Sequence, residues 1–394
     1  MINRSGHMFS LRTHRFAPGV TAMIVLALAA GCAPAEPDAA PEPVAEGIPT
    51  EFDTAEYAIR LVTVADSLAY PHSMAFLPDG SLLFTEMGGQ LRLIRDGVLQ
   101  AEPIRGIPEV FHDGPSKGLM DIALHPDFAD NNLVYFTYDK RGEDGVTEAL
   151  GRGVFSGTEL TDVEDVFIAD AWAETQGRQN ARITFAPDGS VFMSASSGGR
   201  PNLGRGQELD NHAGKILRIR DDGSAPDDNP FVGRAGALPE IFTYGHQNIH
   251  AMAAHPVTGD IWAIEHGDEA NILRAGANYG VGLPEDEPLA AGVDVTAPHI
   301  SWVDPDIHPS GMVFYTGNAF PAWQGSLFIG GLNTNQIHRV AFDEAGNAAF
   351  REYLFSDIGQ WVRDLRQGPD GFIYFTSYDH PDASGMIRRI EPAD

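Results

Sequence analysis

One short pattern recurs along the chain and limits its possible folds more than any other feature. It consists of an apolar strand, a turn that begins at proline, and a second apolar strand, as in "MAFLPDGSLLFTE" from Met74 and "ITFAPDGSVFMSA" from Ile183. Six copies carry their prolines at Pro78, Pro126, Pro187, Pro256, Pro321 and Pro369. The intervals of 48, 61, 69, 65 and 48 residues suit one four-stranded sheet per copy. The sequence therefore predicts an all-β fold, a six-bladed β-propeller of four-stranded antiparallel blades.

A propeller gains stability when its ring is closed, because closure removes the exposed edges of its sheets. The apolar segment "YAIRLVTVA" (57–65) is predicted to pair with the last blade near "MIRRIEP" and to close the ring. The 43 glycines and 27 prolines favour many turns and argue against long helices. An open array of β-sandwich sheets is the alternative, and the regular turns favour the propeller over it.

Residues 1–31 have the features of a lipoprotein-type signal peptide. Three arginines, Arg4, Arg12 and Arg15, precede the apolar run "VTAMIVLALAAG", which is short for a membrane span. The run ends in the small-small-Cys pattern of a bacterial lipobox, so cleavage before Cys32 would leave its thiol for lipid attachment. An ordinary signal peptide with an incidental cysteine is the alternative.

Residues 32–55 form a segment of alanine, proline and glutamate with almost no large apolar side chain. Such a segment cannot pack into a core, so we predict a disordered tether between lipidated Cys32 and a propeller at residues 56–394. Cys32 is the only cysteine, which excludes a disulfide within the chain. We therefore expect an exported, periplasmic protein that touches the outer membrane only through its N-terminal lipid.

The formal net charge of −29 limits the partners that the protein can have. An acidic surface of this size repels phosphate backbones and anionic lipid headgroups, which argues against nucleic-acid binding. Solubility or adaptation to salt accounts for the charge without a dedicated partner.

The strands before the proline turns should lie nearest the axis of the propeller, and their leading ends should meet at one opening of the channel. We call these six leading ends the mouth. They are "YPHS" (70–73), "GPSKG" (114–118), "GRQNAR" (177–182), "GHQNIH" (245–250), "IHPSG" (307–311) and "GQWVR" (359–363). They are rich in His, Gln, Asn, Arg and Lys, so we place the functional site there.

From about residue 60 to residue 390, the chain resembles the soluble glucose/sorbosone dehydrogenase family. The clearest markers are "GLMDIALHPDFADNNLVYFTY", "LRIRDDGSAPDDNPF", "YGHQNIHAM" and "VRDLRQGPDG". The resemblance implies an exported propeller that oxidises aldose sugars at C1, with pyrroloquinoline quinone (PQQ) and Ca²⁺ as cofactors. It also implies a small-molecule sugar and a soluble electron acceptor as partners.

The resemblance places the family's catalytic position, a histidine, at Arg178. Arginine stays protonated and cannot accept a hydroxyl proton, and an acidic residue of the family is replaced by Ser197. The quinone carries three carboxylates and needs cations. The resemblance implies cofactor contacts at Lys117, Gln247, Asn248, Trp361 and Arg363, a thinner set of cations than the family's.

If the chemistry persists, a histidine of the mouth must replace the lost base. His72, His250 and His308 all lie at leading ends, and we favour His250 because it follows Asn248 in the best-matched segment. A histidine that only lines a wet channel is the alternative.

The resemblance also implies a structural calcium. Glu269 and Tyr279 keep the family's ten-residue spacing for this metal, through the glutamate carboxylate and the tyrosine carbonyl. In the family, the carbonyls of a Gly-Pro pair hold the cofactor's calcium. This chain keeps the glycine of that pair, Gly267, but not the proline. Oxygen ligands on a loop suit Ca²⁺, whereas an acid and an aromatic residue on a surface loop are the alternative.

Two functions follow. The first is PQQ-dependent oxidation of an aldose or related polyol at a divergent active site. The second is a non-catalytic propeller that binds a glycan or protein, which the loss of the base and of most cations would explain. A calcium-dependent lactonase would need several carboxylates at the axis, and the mouth contains none.

Overall fold

Strands make up nearly all of the regular structure. The structure is a computed structural model that describes residues 51–113, 118–174, 180–283, 293–302, 306–355, 358–379 and 384–393. These residues form 25 β-strands in six sheets, one α-helix, α1 (Phe128–Asn131), and two 3-10 turns (Arg200–Gln207 and Pro321–Trp323). None of the helices in these ranges is long and apolar enough to cross a membrane.

Two strands, β1 (Glu51–Asp53) and β2 (Ala58–Ala69), precede five blades of four antiparallel strands each. Blade 1 contains β3 (Pro71–Phe76), β4 (Leu82–Glu86), β5 (Gln90–Arg95) and β6 (Val98–Leu99). Blade 2 contains β7 (Leu119–Leu124), β8 (Leu133–Gly142), β9 (Gly145–Phe155) and β10 (Leu160–Ile168). Blade 3 contains β11 (Ile183–Phe185), β12 (Val191–Ala195), β13 (Lys215–Ile219) and β14 (Ile241–Tyr244).

Blades 4 and 5 continue the same order. Blade 4 contains β15 (Ile249–Ala254), β16 (Ile261–Glu265), β17 (Glu269–Ile272) and β18 (Ile300–Ser301). Blade 5 contains β19 (Pro309–Phe314), β20 (Leu327–Gly331), β21 (Ile337–Phe342) and β22 (Ala348–Leu354). Three further strands, β23 (Trp361–Gln367), β24 (Ile373–Tyr378) and β25 (Ser384–Pro392), begin the sixth sheet.

The sixth sheet joins the two ends of the propeller. Its strand order is β1-β2-β25-β24-β23, and β2 pairs with β25 in a register that sets Leu61 opposite Ile390. The predicted six-bladed fold and its closing strand are therefore confirmed. The blade has a fifth strand because β1, within the predicted tether range, pairs with β2, and Phe52 packs edge-on against Phe355 at 4.8 Å.

The first strand of each blade lies at the axis and contacts the first strand of the next blade around the ring. The packing is tight enough to require glycine: a Cβ atom at Gly311 on β19 would lie 2.4 Å from the Cα atom of Asp364 on β23. Behind the mouth, Arg182 lies 3.6 Å from carboxylate oxygens of both Asp121 and Asp364. This layer of buried charge separates the mouth from an apolar cavity of about 560 Å³ at the other end of the inner strands.

Candidate active site

The side chains of the mouth are aimed by irregularities in the inner strands. The pairing of five of the six inner strands with their neighbours shifts register near the leading end, including the shifts at Pro71/Met74, Ile249/Ala251 and Val362/Asp364. Each shift is a β-bulge or similar irregularity, which re-aims a side chain next to a functional site. His72, His250 and Arg363 lie within these shifts.

Arg363 holds three blades together at the mouth. Its Nη2 atom donates to Nε2 of His72 at 2.7 Å and to Oδ1 of Asn180 at 3.1 Å. Asn180 in turn donates from Nδ2 to the carbonyl of Ile249 at 2.5 Å. Burial and the neighbouring Arg182 lower the pKa of Arg363 to about 10, so the side chain stays cationic at neutral pH.

Three histidines from blades 4 and 5 form a cluster beside this arginine. The ring centroids of His250 and His308 are 5.3 Å apart, those of His266 and His308 are 4.5 Å apart, and those of His250 and His266 are 6.5 Å apart. Burial, and then the positive charge of Arg363, hold the pKa of His250 well below its usual value. His250 is therefore neutral at physiological pH.

Two buried polar atoms in or beside this cluster, Nδ1 of His250 and Oδ1 of Asn248, have no hydrogen-bond partner in the described part of the chain. The side-chain nitrogen of Asn248 lies 3.3 Å from Nε2 of His250. Buried polar atoms in folded proteins are nearly always paired, so orphans at a candidate site indicate a place where a ligand or water completes the hydrogen bonding.

A cavity of about 370 Å³ opens beside the cluster. It is lined by residues of blades 3, 4 and 5, namely Ser196, Ser197, Gly199, Arg200, Pro201, Gln247, Asn248, His266 and His308. Its volume falls within the usual range for small-molecule sites, about 300–1,000 Å³. His250 is only 4% exposed and is not part of the lining, so His308 and His266 are the histidines that face the cavity.

The structure brings four of the predicted site residues together at the mouth: Gln247, Asn248, His250 and Arg363. Gln247 lines the cavity, and its backbone N–H donates to Oε2 of Glu265 at 3.2 Å. Trp361 begins the inner strand of blade 6 and its ring packs against Tyr378 at 5.9 Å. Arg178, Lys117 and Cys32, also predicted, lie outside the described residues.

The residues predicted to bind calcium lie on and beside the β16–β17 turn. Glu265 and Glu269 are register partners, and burial followed by the Glu265 charge raises the pKa of Glu269 to about 7. The side-chain nitrogen of Asn271 donates to Oε1 of Glu265 at 2.8 Å. The buried side-chain oxygen of Asn271, Oδ1, has no hydrogen-bond partner among the described residues. Gly267 lies in the turn with φ +124°, and a Cβ there would meet no atom within 4 Å.

Tyr279 is linked to this pair of carboxyl groups through a histidine. Its ring stacks on His246 at 4.7 Å, and Nδ1 of His246 lies 3.0 Å from Oε1 of Glu265. The described residues contain no group of three or more His, Cys, Asp or Glu side chains arranged to hold a metal ion. Calcium at this turn therefore stays a prediction, which would draw on carbonyl and amide oxygens as well as carboxylates.

Sequence reasoning assigned no role to Asn180, and it named His308 only as one of three candidate histidines, with His250 preferred. Asn180 lies two residues before Arg182, at the leading end of β11. Its position in the mouth was the sequence feature that could have indicated a role at the site. In the structure, His308 is distinguished by its backbone, which has φ +45°. Its backbone N–H donates to Oδ1 of Asp268 at 2.8 Å. Residues other than glycine adopt such angles at a cost, which is frequent at functional sites.

Comparison with known proteins agrees with the fold. Residues 68–388 match the family model described as glucose/sorbosone dehydrogenase. The uncharacterized protein slr1608 of Synechocystis is 39% identical over 362 residues, which cover 84% of this chain and 86% of the relative. The aldose sugar dehydrogenase YliI of Escherichia coli is 34% identical over 358 residues, which cover 85% of this chain and 93% of the relative.

A solved structure shows the same architecture. The soluble aldose sugar dehydrogenase of Escherichia coli, in its apo form, matches with a TM-score of 0.77 and 32% identity, covering 85% of this chain and 100% of the other. Sequence and structure thus agree over nearly the whole propeller. The chain belongs to the glucose/sorbosone dehydrogenase family.

Proposed function

We propose that the protein is a PQQ-dependent dehydrogenase that oxidises an aldose or a related polyol at C1. One observation carries the proposal: a polar cavity lined by His308 and Asn248 opens in front of His250, a neutral histidine whose pKa is lowered by burial and by the charge of nearby Arg363. A neutral proton acceptor and a fixed cation are what the removal of hydrogen from a sugar hydroxyl requires of the protein. The relative named as an aldose sugar dehydrogenase supports the substrate class.

The residues of the mouth fit a quinone that carries three carboxylates. Arg363 donates to two neutral side chains, His72 and Asn180, so in the described part of the chain its charge is not neutralised by a bonded carboxylate. Such a cation forms strong hydrogen bonds with an anionic group. When bound, PQQ would supply the redox chemistry by taking up the hydride that leaves the sugar carbon.

In this proposal His308 accepts the proton of the sugar hydroxyl. It faces the cavity, its backbone N–H is bound by Asp268, and its carbonyl accepts from the backbone N–H of Leu332 at 3.1 Å. His250, our choice from the sequence, lies behind the cavity wall with its ring edge against His308. We therefore assign proton transfer to His308 and support of its ring to His250.

Asn248 completes this arrangement. Its side-chain nitrogen donates to Nε2 of His250 at 3.3 Å, so Nε2 accepts and the ring proton of the neutral His250 lies on Nδ1. His250 then keeps one tautomer while its neighbour exchanges a proton with the substrate. The orientation follows from the hydrogen-bonding pattern of the two side chains.

Quinone titration followed by an activity assay tests the function. Purified protein is titrated with PQQ in the presence of Ca²⁺ while the quinone absorbance is recorded, and dye reduction is then measured on a panel of aldoses and polyols. The proposal expects saturable binding and reduction with at least one sugar. The absence of PQQ binding would overturn it.

Binding without reduction would instead favour the second function, a propeller that recognises a glycan or protein partner. The observation behind this alternative is the arginine at the family's histidine position, Arg178, together with Ser197 in place of an acidic residue. Both changes remove groups that take part in proton transfer. Dye reduction by PQQ-loaded protein separates the two functions.

Calcium is proposed as the structural cation of the β16–β17 turn. The adjacent carboxyl groups of Glu265 and Glu269 and the unpartnered oxygen of Asn271 form an oxygen-rich site that a hard cation would stabilise. Tyr279 would contribute its backbone carbonyl oxygen, whereas the carbonyl of Gly267 is expected to contact the cofactor's own calcium.

Export and lipidation are proposed from the sequence of residues 1–55. Replacement of the lipobox cysteine, Cys32→Ser, should release the protein from the membrane fraction of an expressing bacterium while leaving the propeller folded. Mass spectrometry of the mature N-terminus would show a diacylglyceryl cysteine in the wild type. An unmodified cysteine there would identify an ordinary signal peptide.

A further inference from the structure

A carboxyl group that the proposed mechanism does not use lies behind the wall of the cavity. Glu148 on β9 is fully buried, and its Oε1 atom accepts a hydrogen bond of 3.1 Å from the backbone N–H of Ser196. Its second oxygen, Oε2, has no hydrogen-bond partner among the residues that the structure describes. A buried carboxylate with an orphan oxygen is costly, so a protein that retains one uses it or loses stability to it.

Glu148 touches the mouth at two points. Ser196, which it binds, and Ser197, the next residue, both line the 370 Å³ cavity. The backbone N–H of Asn180 lies close enough to Glu148 to favour its ionised form and to lower its pKa. The side-chain oxygen of Asn180 accepts a hydrogen bond from Arg363. Asn180 therefore lies between Glu148 and the guanidinium, and Ser196 lies between Glu148 and the cavity.

Ser197 indicates what Glu148 replaces. The family resemblance places an acidic residue at position 197. This chain has there a fully buried serine, whose hydroxyl finds no hydrogen-bond partner within the described ranges. Glu148 comes from the neighbouring blade and brings its carboxylate to the preceding residue, Ser196. The negative charge missing from blade 3 is thus available from blade 2.

We propose that Glu148 is a positioning residue that supplies, from the adjacent blade, the buried carboxylate that this chain lacks at position 197. It fixes the backbone of Ser196 and lies beside the backbone of Asn180, whose side chain accepts the hydrogen bond of Arg363, so that Arg363 is held in place for the reaction. The inference rests on the proposed dehydrogenase function and adds a residue that acts through others, without contact to the substrate.

The charge state of Glu148 makes the proposal testable. Burial raises the pKa of Glu148 to about 7. The N–H groups of Ser196 and Asn180 and the charge of Arg205 lower this pKa, but their effect is smaller than that of burial. Asp139 lies opposite Glu148 on β8 and is also buried. The carboxylate is therefore ionised in mildly alkaline solution and protonated in mildly acidic solution.

Glu148→Gln removes the charge and keeps the shape. We expect kcat/KM of the PQQ-loaded protein to fall at least tenfold at pH 8.5, with wild type and variant converging near pH 5.5, where the wild-type carboxyl is protonated. The double variant E148Q/S197D should recover activity at pH 8.5, because it returns a carboxylate to the family's position. The control is Glu391→Gln. Glu391 is buried on β25 and forms an ion pair with Arg60, and its replacement should show no such pH dependence.

A second measurement does not depend on activity. Because the folded-state pKa of Glu148 is raised, its ionisation costs stability as pH rises from about 4.5 towards 7 and above. The melting temperature of E148Q relative to wild type should therefore increase between pH 5 and pH 8.5, and that of E391Q should not.

These outcomes separate the two proposals. Wild-type protein that neither binds PQQ nor reduces dye defeats the dehydrogenase function. If the wild type is active, an E148Q variant with unchanged activity at pH 8.5, or with the same loss at every pH, overturns the role of Glu148. An unchanged difference in melting temperature across pH would also overturn it, whether or not the protein is active.

Discussion

Arg363 on the inner strand of blade 6 donates a hydrogen bond of 2.7 Å to Nε2 of His72 on the inner strand of blade 1. The other ring nitrogen of His72 lies 3.1 Å from the carbonyl oxygen of Met120, which can only accept. His72 is therefore the neutral tautomer protonated at Nδ1, and its single lone pair is taken by the guanidinium. This contact identifies His72 as the holder of Arg363 and removes it as a candidate base.

Replacing His308 should reduce turnover more than any other histidine substitution in the mouth. We expect His308→Asn to lower kcat by about 10²–10⁴-fold, the usual contribution of a positioned acid-base group. His299→Asn, at an exposed histidine that bonds the carbonyl of Gly346, is the matched control and should retain activity. If H308N and H299N have equal kcat values in the dye-reduction assay, proton transfer does not pass through His308.

Stability should fall on acidification because His250 is buried in its neutral form. Its folded-state pKa lies well below 6.5, so as pH drops below 6.5 the unfolded chain takes up a proton that the folded protein does not. The loss approaches about 1.4 kcal/mol per pH unit for one such group. His250→Gln should make the unfolding free energy, measured in urea between pH 7.5 and 5, less sensitive to acid than that of the wild type. Equal pH slopes in the two proteins would contradict this assignment.

Arg363 should govern the affinity for the quinone. A hydrogen bond to a charged group contributes about 1.5–3 kcal/mol, so Arg363→Gln should weaken PQQ binding at least tenfold. Arg363→Lys should restore little, because the ammonium cannot reproduce the donor geometry of the guanidinium. Arg105→Gln, in an exposed ion pair with Glu159, serves as the control. Absorbance titration that gives the same Kd for R363Q and R105Q would show that the quinone carboxylates bind elsewhere.

Calcium should stabilise the wild-type protein through the β16–β17 turn. A ligand present at about 100 times its Kd raises the unfolding free energy by about 2.7 kcal/mol. Glu269→Gln should abolish most of the increase in melting temperature that Ca²⁺ produces, and Glu159→Gln, at an exposed position, should leave it intact. Chelation of Ca²⁺ should return the wild type to the melting temperature of the untreated protein. A Ca²⁺ response that persists in E269Q would place the metal at another site.

Gly311 should tolerate no side chain. A Cβ atom there would meet the Cα of Asp364 at 2.4 Å, and this contact joins the inner strands of two blades. Gly311→Ala should therefore destabilise the propeller by about 1–3 kcal/mol, as overpacking of a tight core does. Gly88→Ala, where the new atom would meet nothing within 4 Å, should leave the urea midpoint unchanged. Similar midpoints for G311A and G88A would mean that the two inner strands can separate at little cost.

The fold was predictable because its signals are local. Each proline turn lies between two apolar strands, and pairs such as Met74 with Phe84 follow from the hairpin itself. Counting the turns predicts the number of blades, and the apolar segment at 57–65 was correctly predicted to pair with the last blade. Local turn chemistry and hydrophobic alternation therefore determined the architecture.

The site was predictable in position and less so in detail. The mouth follows from which strand lies at the axis, but an alternating pattern does not reveal a bulge, and a one-residue shift turns a side chain to the opposite face. His250 lies at such a shift and points behind the cavity wall. Contacts between blades, such as that between Glu148 and Ser196, join residues far apart in sequence and have no local signal.

The pairing of β2 with β25 also bears on how the protein is made. The closing strand β2 is synthesised before the five other blades, and its partner β25 is synthesised after them. A nascent chain that still lacks β25 would expose the unpaired edges of β2 and β24, which can pair with strands of other chains. We expect such chains to need a holding chaperone until β25 has been synthesised.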